Sequence, residues 1–224
     1  MRLYKFKKIS GKIRLVSGLH VGRSADVIEI GGMDNPIIRN PFDDFPYIPG
    51  SSLKGKMRSL LEWKYGRYHK NETDGAYGPC QCGQPGCEIC TVFGVAGSDN
   101  HSLGPTRVLV RDAFLTEDSK EKLRELRREK GMLFAEEKWE NQIDRLKGTA
   151  RHPRSIERVP AGVEFNFEIA LRIFEGDREE EIVGRVVEGL RLITQDALGG
   201  MGSRGYGKVE FVDCVDETGA PVEI

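Results

Sequence analysis

An α+β fold of ferredoxin-like plan, βαββαβ, is the architecture the sequence predicts, on three observations. Segments of period-two apolar alternation open and follow two amphipathic helical stretches, the order strand, helix, strand occurs twice, and irregular insertions separate the two halves. In this plan the helices cover one face of an antiparallel sheet and leave the other open. RNA-recognition folds of this shape use that face, or the loops beside it, for single strands.

Lys8 to Val16 alternates as a half-buried strand, and Gly18-Leu19-His20-Val21-Gly22 ends it. A loop or loose hairpin is expected over Val27 to Pro41, where Gly31-Gly32-Met33-Asp34-Asn35-Pro36 lies between two apolar pairs. After the break at Pro49-Gly50, Ser51 or Ser52 is placed to cap a helix. Its Leu53, Met57, Leu60 and Leu61 share one face, with Lys54, Lys56 and Arg58 off that stripe. Residues 66–106 read as an irregular, cysteine-rich insertion without a core of its own, and Arg107 to Leu115 as the next strand. Residues 117–140 are densely charged with helical phasing, a solvated helical insertion. A basic, proline-marked segment follows. Val163 to Ile173 alternates cleanly as a strand, and the helix from about Glu180 to Leu198 turns Ile182, Val183, Val186, Val187, Leu190 and Ile193 to the core. Val209 to Val212 is the closing strand.

The 224 residues, 38% of them hydrophobic, suffice for one domain spanning 1–224, with no flexible linker within it. A net charge of −1 excludes nucleic-acid binding by whole-molecule attraction, so any such role must rest on segregated basic residues. No stretch has the length and apolarity of a membrane span, and the opening residues lack a signal-like apolar segment, so a cytoplasmic protein without membrane partners is expected.

Between the last helix and strand runs Gly199-Gly200-Met201-Gly202-Ser203-Arg204-Gly205-Tyr206-Gly207-Lys208. Glycines let main-chain N–H groups approach an anion, and Arg204 and Lys208 make phosphate the natural one; a tight turn with solvated charges is the plainer alternative. Gly50 to Lys56 has the spacing of a nucleotide-binding P-loop, but Met57 stands where a magnesium-binding hydroxyl is needed, which argues against an ATPase. Ser51, Ser52, Lys54 and Arg58 still suit a phosphate at a helix start.

Cys80, Cys82, Cys87 and Cys90 place four thiols in eleven residues with Pro and Gly between the pairs. In a reducing compartment such clustering favours metal over disulfides, and zinc suits tetrahedral thiolates. Because Cys-x-Cys is a less typical half-site, His69 or His101 is an alternative to Cys80 or Cys82. A closed four-ligand site is structural, and metal binding of this kind is worth roughly 10–16 kcal/mol in small zinc peptides.

Tyr47 to Gly55 before a helix, together with the late glycine-rich loop, resembles the RAMP superfamily of CRISPR proteins. Gly31 to Pro36, the cysteine segment ending Cys90-Thr91-Val92-Phe93-Gly94, and Arg154-Ser155-Ile156-Glu157-Arg158-Val159-Pro160 resemble, more narrowly, the backbone subunit of the type III-A effector, the Csm complex. The resemblance implies an RRM-like palm with a zinc-stabilised insertion at 66–106 and a thumb-like β-hairpin at 141–162. It implies a subunit that assembles head to tail along CRISPR RNA with other Csm-complex subunits and cuts complementary target RNA at regular intervals. It carries the catalytic aspartate onto Asp34, with Mg2+ or another divalent cation for cleavage, and the guide RNA onto Ser51, Ser52, Lys54, Arg58, Arg151, Arg154 and Arg204. The residues agree in part: Arg145, Lys147, Arg151, Arg154 and Arg158 form a basic strip relieved only by Glu157. By itself, Asp34 before Asn-Pro reads as a turn former, and His20 between apolar neighbours as structural. A noncatalytic guide-RNA scaffold and a precursor-RNA-processing RAMP ribonuclease are the alternatives.

Overall fold

The computed structural model describes residues 1–22, 35–71, 73–97 and 101–224. In chain order its strands and helices are β1 (Leu3–Leu15), β2 (Tyr47–Ile48), α1 (Gly50–Tyr65), β3 (Tyr68–Lys70), β4 (Tyr77–Pro79), α2 (Glu88–Phe93), β5 (Val108–Val110), β6 (Ala113–Leu115), α3 (Glu117–Lys130), β7 (Glu136–Ile143), β8 (Ala150–Arg158), β9 (Glu164–Phe174), α4 (Glu179–Gln195) and β10 (Val209–Asp216). The fold is mixed α+β. Its main sheet runs β10-β1-β9-β6-β2, with β5 also on β9, and every pairing in it is antiparallel. Two separate hairpins, β3–β4 and β7–β8, stand off this sheet.

Alternation along β9 divides the two faces. Phe165, Phe167, Ile169, Leu171 and Ile173 are buried, and Ile9, Ile13 and Leu15 of β1 join them. Over this face lie α1, through Leu53, Met57 and Leu61, and α4, through Ile182, Val186, Leu190 and Ile193. The helices cross closely at Gly189, where a Cβ would stand 3.2 Å from both Leu61 and Met57. Val183 and Val187 of α4 are only partly buried at the margin of this core. On the other face, a recess of about 540 Å3 is lined by Lys8, Ser10, Lys12, Phe114 and Asn166.

Several sequence boundaries move. The strand expected over Arg107 to Leu115 is broken at Arg111-Asp112 into β5 and β6. Asp112 is turned away from pairing because its carboxylate accepts the Gly50 N–H at 2.7 Å. α1 therefore begins at Gly50 after Pro49 with no side-chain cap from Ser51 or Ser52. A Cβ on Gly50 would meet the Val110 carbonyl oxygen at 2.2 Å, so the approach of helix to strand requires glycine there. The helical insertion expected to 140 stops at Lys130, where Gly131 takes φ +68° and donates to the Arg127 carbonyl. Residues 136–140 belong instead to β7, so the hairpin expected from 141 starts five residues earlier.

The insertion at 66–106 also has more core than the sequence suggests. Ile89, Val92 and Phe93 of α2 are fully buried in the same apolar cluster as α1 and α4. At the far side of β5, Arg107 is buried and grips the Asp177 carboxylate through Nε at 3.0 Å and Nη2 at 2.9 Å, fixing the turn from β9 into α4. Leu61→Ala, at the contact between the two helices, should cost about 2–5 kcal/mol in a denaturant titration, with the slope unchanged.

Candidate functional site

The segment Gly18–Gly22, just past β1, gathers three distant pieces of chain by main-chain hydrogen bonds. Leu19 and Val159 exchange N–H and carbonyl bonds of 2.9 and 2.8 Å, which docks the end of β8. The glycine-rich loop is held by Gly207 N–H to the Gly18 carbonyl at 2.9 Å and Gly200 N–H to the His20 carbonyl at 2.9 Å. Ile38 donates to Val21 at 2.9 Å, and Gly22 bridges Ile37, so the two ends of the segment containing residues 23–34 meet here.

Glu157 locks that meeting point. It is 8% exposed, its Oε2 accepts the Ile37 N–H at 2.9 Å, and Oε1 receives the Arg39 guanidinium. Its own N–H donates to the Asn35 carbonyl at 3.2 Å, and its carbonyl faces His20 Nδ1 at 2.7 Å. A carbonyl only accepts, so His20 carries its proton on Nδ1 and is a structural residue, in line with its apolar sequence setting.

The glycines of the late loop serve packing. Gly199 has φ +73° and its Cβ would lie 2.4 Å from the His20 oxygen; Gly207 has φ +72° and its Cβ would lie 1.9 Å from the Leu198 oxygen. Since the Gly200 and Gly207 N–H groups are satisfied within the protein, the loop offers an anion its Arg204 side chain more than its backbone. Tyr206, 1% exposed, lies between Lys138 and Arg158 of the β7–β8 hairpin, whose charges sit 4.4 and 5.1 Å from its ring centroid. Burial, then Glu140, pushes its hydroxyl up to about 12.

The four cysteines form one cluster whose Sγ atoms all lie within 4.8 Å of one another. Separations of 3.6 Å (Cys80–Cys90), 3.8 Å (Cys82–Cys90) and 4.0 Å (Cys80–Cys87) are close to the ~3.8 Å edge of a tetrahedron with metal–sulfur bonds of ~2.3 Å. The Gln84 N–H faces the Cys82 sulfur and the Gly83 N–H the Cys90 sulfur, as donors supporting thiolate ligands. Burial raises the Cys87 and Cys90 thiols above their ordinary range, which a bound cation would reverse. The site can therefore chelate a divalent metal. Among the described residues neither His69 nor His101 is part of this cluster, so the histidine alternative is not needed.

A model of the RAMP superfamily matches residues 12–210. The chain belongs to the RAMP superfamily. Within it the chain is of the Csm3 type. It is 47% identical over 222 residues, 94% of this chain and 85% of the other, to the CRISPR system Cms endoribonuclease Csm3 of Methanothermobacter thermautotrophicus. To the protein of the same name from Methanocaldococcus jannaschii it is 44% identical over 207 residues, 92% of this chain and 78% of the other. Among solved structures, a chain of the Csm3–Csm4 subcomplex in the type III-A CRISPR-Cas interference complex superposes with a TM-score of 0.60 at 32% identity, covering 97% of this RAMP chain and 83% of that one.

Asp34 lies outside the described residues, but its neighbour Asn35 is fixed by Glu157. Ser51 is exposed and Ser52 half-buried in the first turn of α1, where Asp112 already occupies the Gly50 N–H. Lys54 is half-buried; burial first, and Arg58 beside it second, lower its ammonium from the ordinary value, and no carboxylate among the described residues offsets them. Arg58 is engaged elsewhere: its Nε binds Glu62 at 2.7 Å and its Nη2 the Cys80 carbonyl at 2.8 Å, while Glu62 Oε1 accepts the Cys80 N–H at 2.9 Å. This RAMP helix is thus braced against the cysteine cluster. Lys56 pairs with Asp196 at 2.6 Å, which sets α1 beside the approach to the glycine loop. Arg151 and Arg154 project from β8 with half their side-chain surface exposed. Glu157 and Glu62 are the residues that sequence reading passed over. A lone acid in the basic strip was the only signal for the first, and the second carried none.

Purified chain should take up about one thiophilic divalent ion per molecule by elemental analysis, and Cys90→Ser should lose it. Chelation should also lower the melting temperature, because the cluster and α1 share hydrogen bonds.

Proposed function

We propose that the chain is the backbone subunit of a type III-A CRISPR ribonucleoprotein, binding CRISPR RNA along a filament of like subunits and cutting complementary target RNA at regular intervals. The observation that carries this reading is the near-full-length similarity to proteins named as Csm3 endoribonucleases, at identities up to 47%. The hub supports it, since it joins the residues that flank the segment holding Asp34, the basic hairpin and the Arg204 loop.

On this reading the main sheet with α1 and α4 is an RRM-like, ferredoxin-like palm within a single domain 1–224, and the β7–β8 hairpin is the thumb. The cysteine cluster holds structural Zn2+, and the thiols suit a reducing cytoplasm. Ser51, Ser52, Lys54, Arg151, Arg154 and Arg204 contact guide phosphates, while Arg58 acts through the zinc module. Base pairing reads the target and the protein reads backbone and shape. Other Csm-complex subunits, further copies of this chain in head-to-tail contact, CRISPR RNA and target RNA are its partners.

Cleavage follows from attack of the target's own 2′-hydroxyl on the adjacent phosphorus, forming the 2′-oxygen–phosphorus bond of a 2′,3′-cyclic phosphate as the bond to the 5′-oxygen breaks and that oxygen takes a proton from water to leave as a hydroxyl. Asp34 takes the hydroxyl proton or holds a divalent cation there, and such base catalysis contributes typically about 10²–10⁴-fold. A divalent cation such as Mg2+, if held by Asp34, would stabilise the negative charge that develops in this reaction.

With complexes assembled on guide RNA from wild-type or Asp34→Ala subunits, equal target binding but loss of evenly spaced cuts in the variant is expected on a sequencing gel. Absence of cuts in wild type, or identical cuts in both, would leave the chain a guide scaffold. Lys54→Ala should weaken RNA binding regardless of sequence and flatten the slope of log affinity against log salt by about 0.7, one single-strand phosphate contact.

A further inference from the structure

Two of the cations assigned above to RNA converge on one carboxylate. Glu140, in β7, is 13% exposed at its side chain; its Oε2 accepts from Arg204 Nη1 at 3.0 Å and lies 3.6 Å from Arg154 Nη2. Its Oε1 accepts the Tyr206 hydroxyl at 3.0 Å and lies 3.8 Å from Lys138 Nζ. Burial opposes ionisation of this carboxyl, but Tyr206, Arg204 and Lys138 outweigh it and hold the group below its ordinary value. Three cations and a phenol, from β7, β8 and the glycine-rich loop, therefore surround a single anionic point.

A carboxylate so placed has the charge sign and acceptor geometry of a phosphate. We infer that this point is a phosphate subsite and that Glu140 is its built-in competitor, occupying it in the free chain and yielding Arg154 and Arg204 when an RNA phosphate arrives. The inference rests on the RNA-binding reading above and adds to it a residue that opposes binding. Its physical consequence is selectivity. A stray anion must displace a tethered carboxylate to enter, whereas a phosphate held at neighbouring contacts along a strand has the local concentration to do so. The free chain is also kept in shape, because the same carboxylate ties the hairpin to the glycine loop until RNA replaces it as the tie.

Glu140→Gln removes the charge and keeps an acceptor for Tyr206, separating competition from structural latching. Binding of a mixed-sequence single-stranded RNA to wild type and variant is compared across salt. Affinity should rise about threefold to tenfold, with a slope of log affinity on log salt steeper by about 0.7, as expected when one more cation is free to replace RNA counterions. Equal or weaker binding by a variant that melts as wild type would overturn the inference and leave Glu140 a latch. A second measurement needs no substitution: in wild-type chain carrying 13C-labelled glutamate, the Glu140 carboxyl resonance should move as RNA is added, and an unmoved resonance at saturation would likewise overturn it. Wild type that binds no RNA at all would instead refute the RNA-binding reading.

Discussion

The main chain of Gly18–Gly22 is the constraint on which the arrangement depends. Five residues just past β1 hydrogen-bond to Val159, Gly200, Gly207 and Ile38, and so define where the hairpin, the glycine loop and the chain from Asn35 onward lie relative to one another. These contacts are backbone to backbone, which places each piece by its N–H and carbonyl positions and leaves side chains free for other work. The cost is steric. Gly199 and Gly207 must be glycine because their neighbours' carbonyl oxygens occupy the space a Cβ would take. Gly18 is packed under Arg158, whose side chain would stand 2.5 Å from a Cβ.

A second frame couples the cysteine cluster to the helix that carries Ser51, Ser52 and Lys54. Glu62 accepts from both the Cys80 N–H and Arg58, and Arg58 in turn donates to the Cys80 carbonyl, so Cys80 and two successive turns of α1 form one closed network. From the other side α2 carries Cys90 while burying Ile89, Val92 and Phe93 in the main core. The cysteine cluster is therefore an edge of the core. The cluster is thereby tied to the middle and last turns of α1 through Arg58 and Glu62.

What the sequence made legible was what local periodicity encodes. The buried face of β9, the stripe of α1, that of α4 apart from the marginal Val183 and Val187, and the clustering of four thiols follow from spacing, and the structure bears them out. What escaped was decided at long range. Asp112 caps α1 from sixty-two residues away, which no reading of Ser51 and Ser52 could suggest. Arg58 looked like its basic neighbours and differs only because Glu62 and Cys80 lie within its reach. Glu157 stood out as a single acid among arginines, but its burial and its grip on Ile37 needed the fold. Charged phasing over 117–140 misled at its end because residues 136–140 alternate in a hairpin whose partner strand begins at residue 150.

The hub also orders events in time. Its partners are separated by up to about 190 residues of chain, between Gly18 and Gly207, so its contacts to Val159, Gly200 and Gly207 cannot be rehearsed by a local segment, unlike the nearby Val21–Ile38 bond. During synthesis β1 and α1 emerge early, yet β1's two neighbours in the sheet, β9 and β10, come late, and the glycine loop lies between α4 and β10. A nascent chain therefore carries Lys54 and the arginines of β8 before it has the framework that aligns them. Only after Gly207 has been made can the three pieces close on Gly18–Gly22, so an organised surface belongs to the finished fold and to no intermediate of its synthesis.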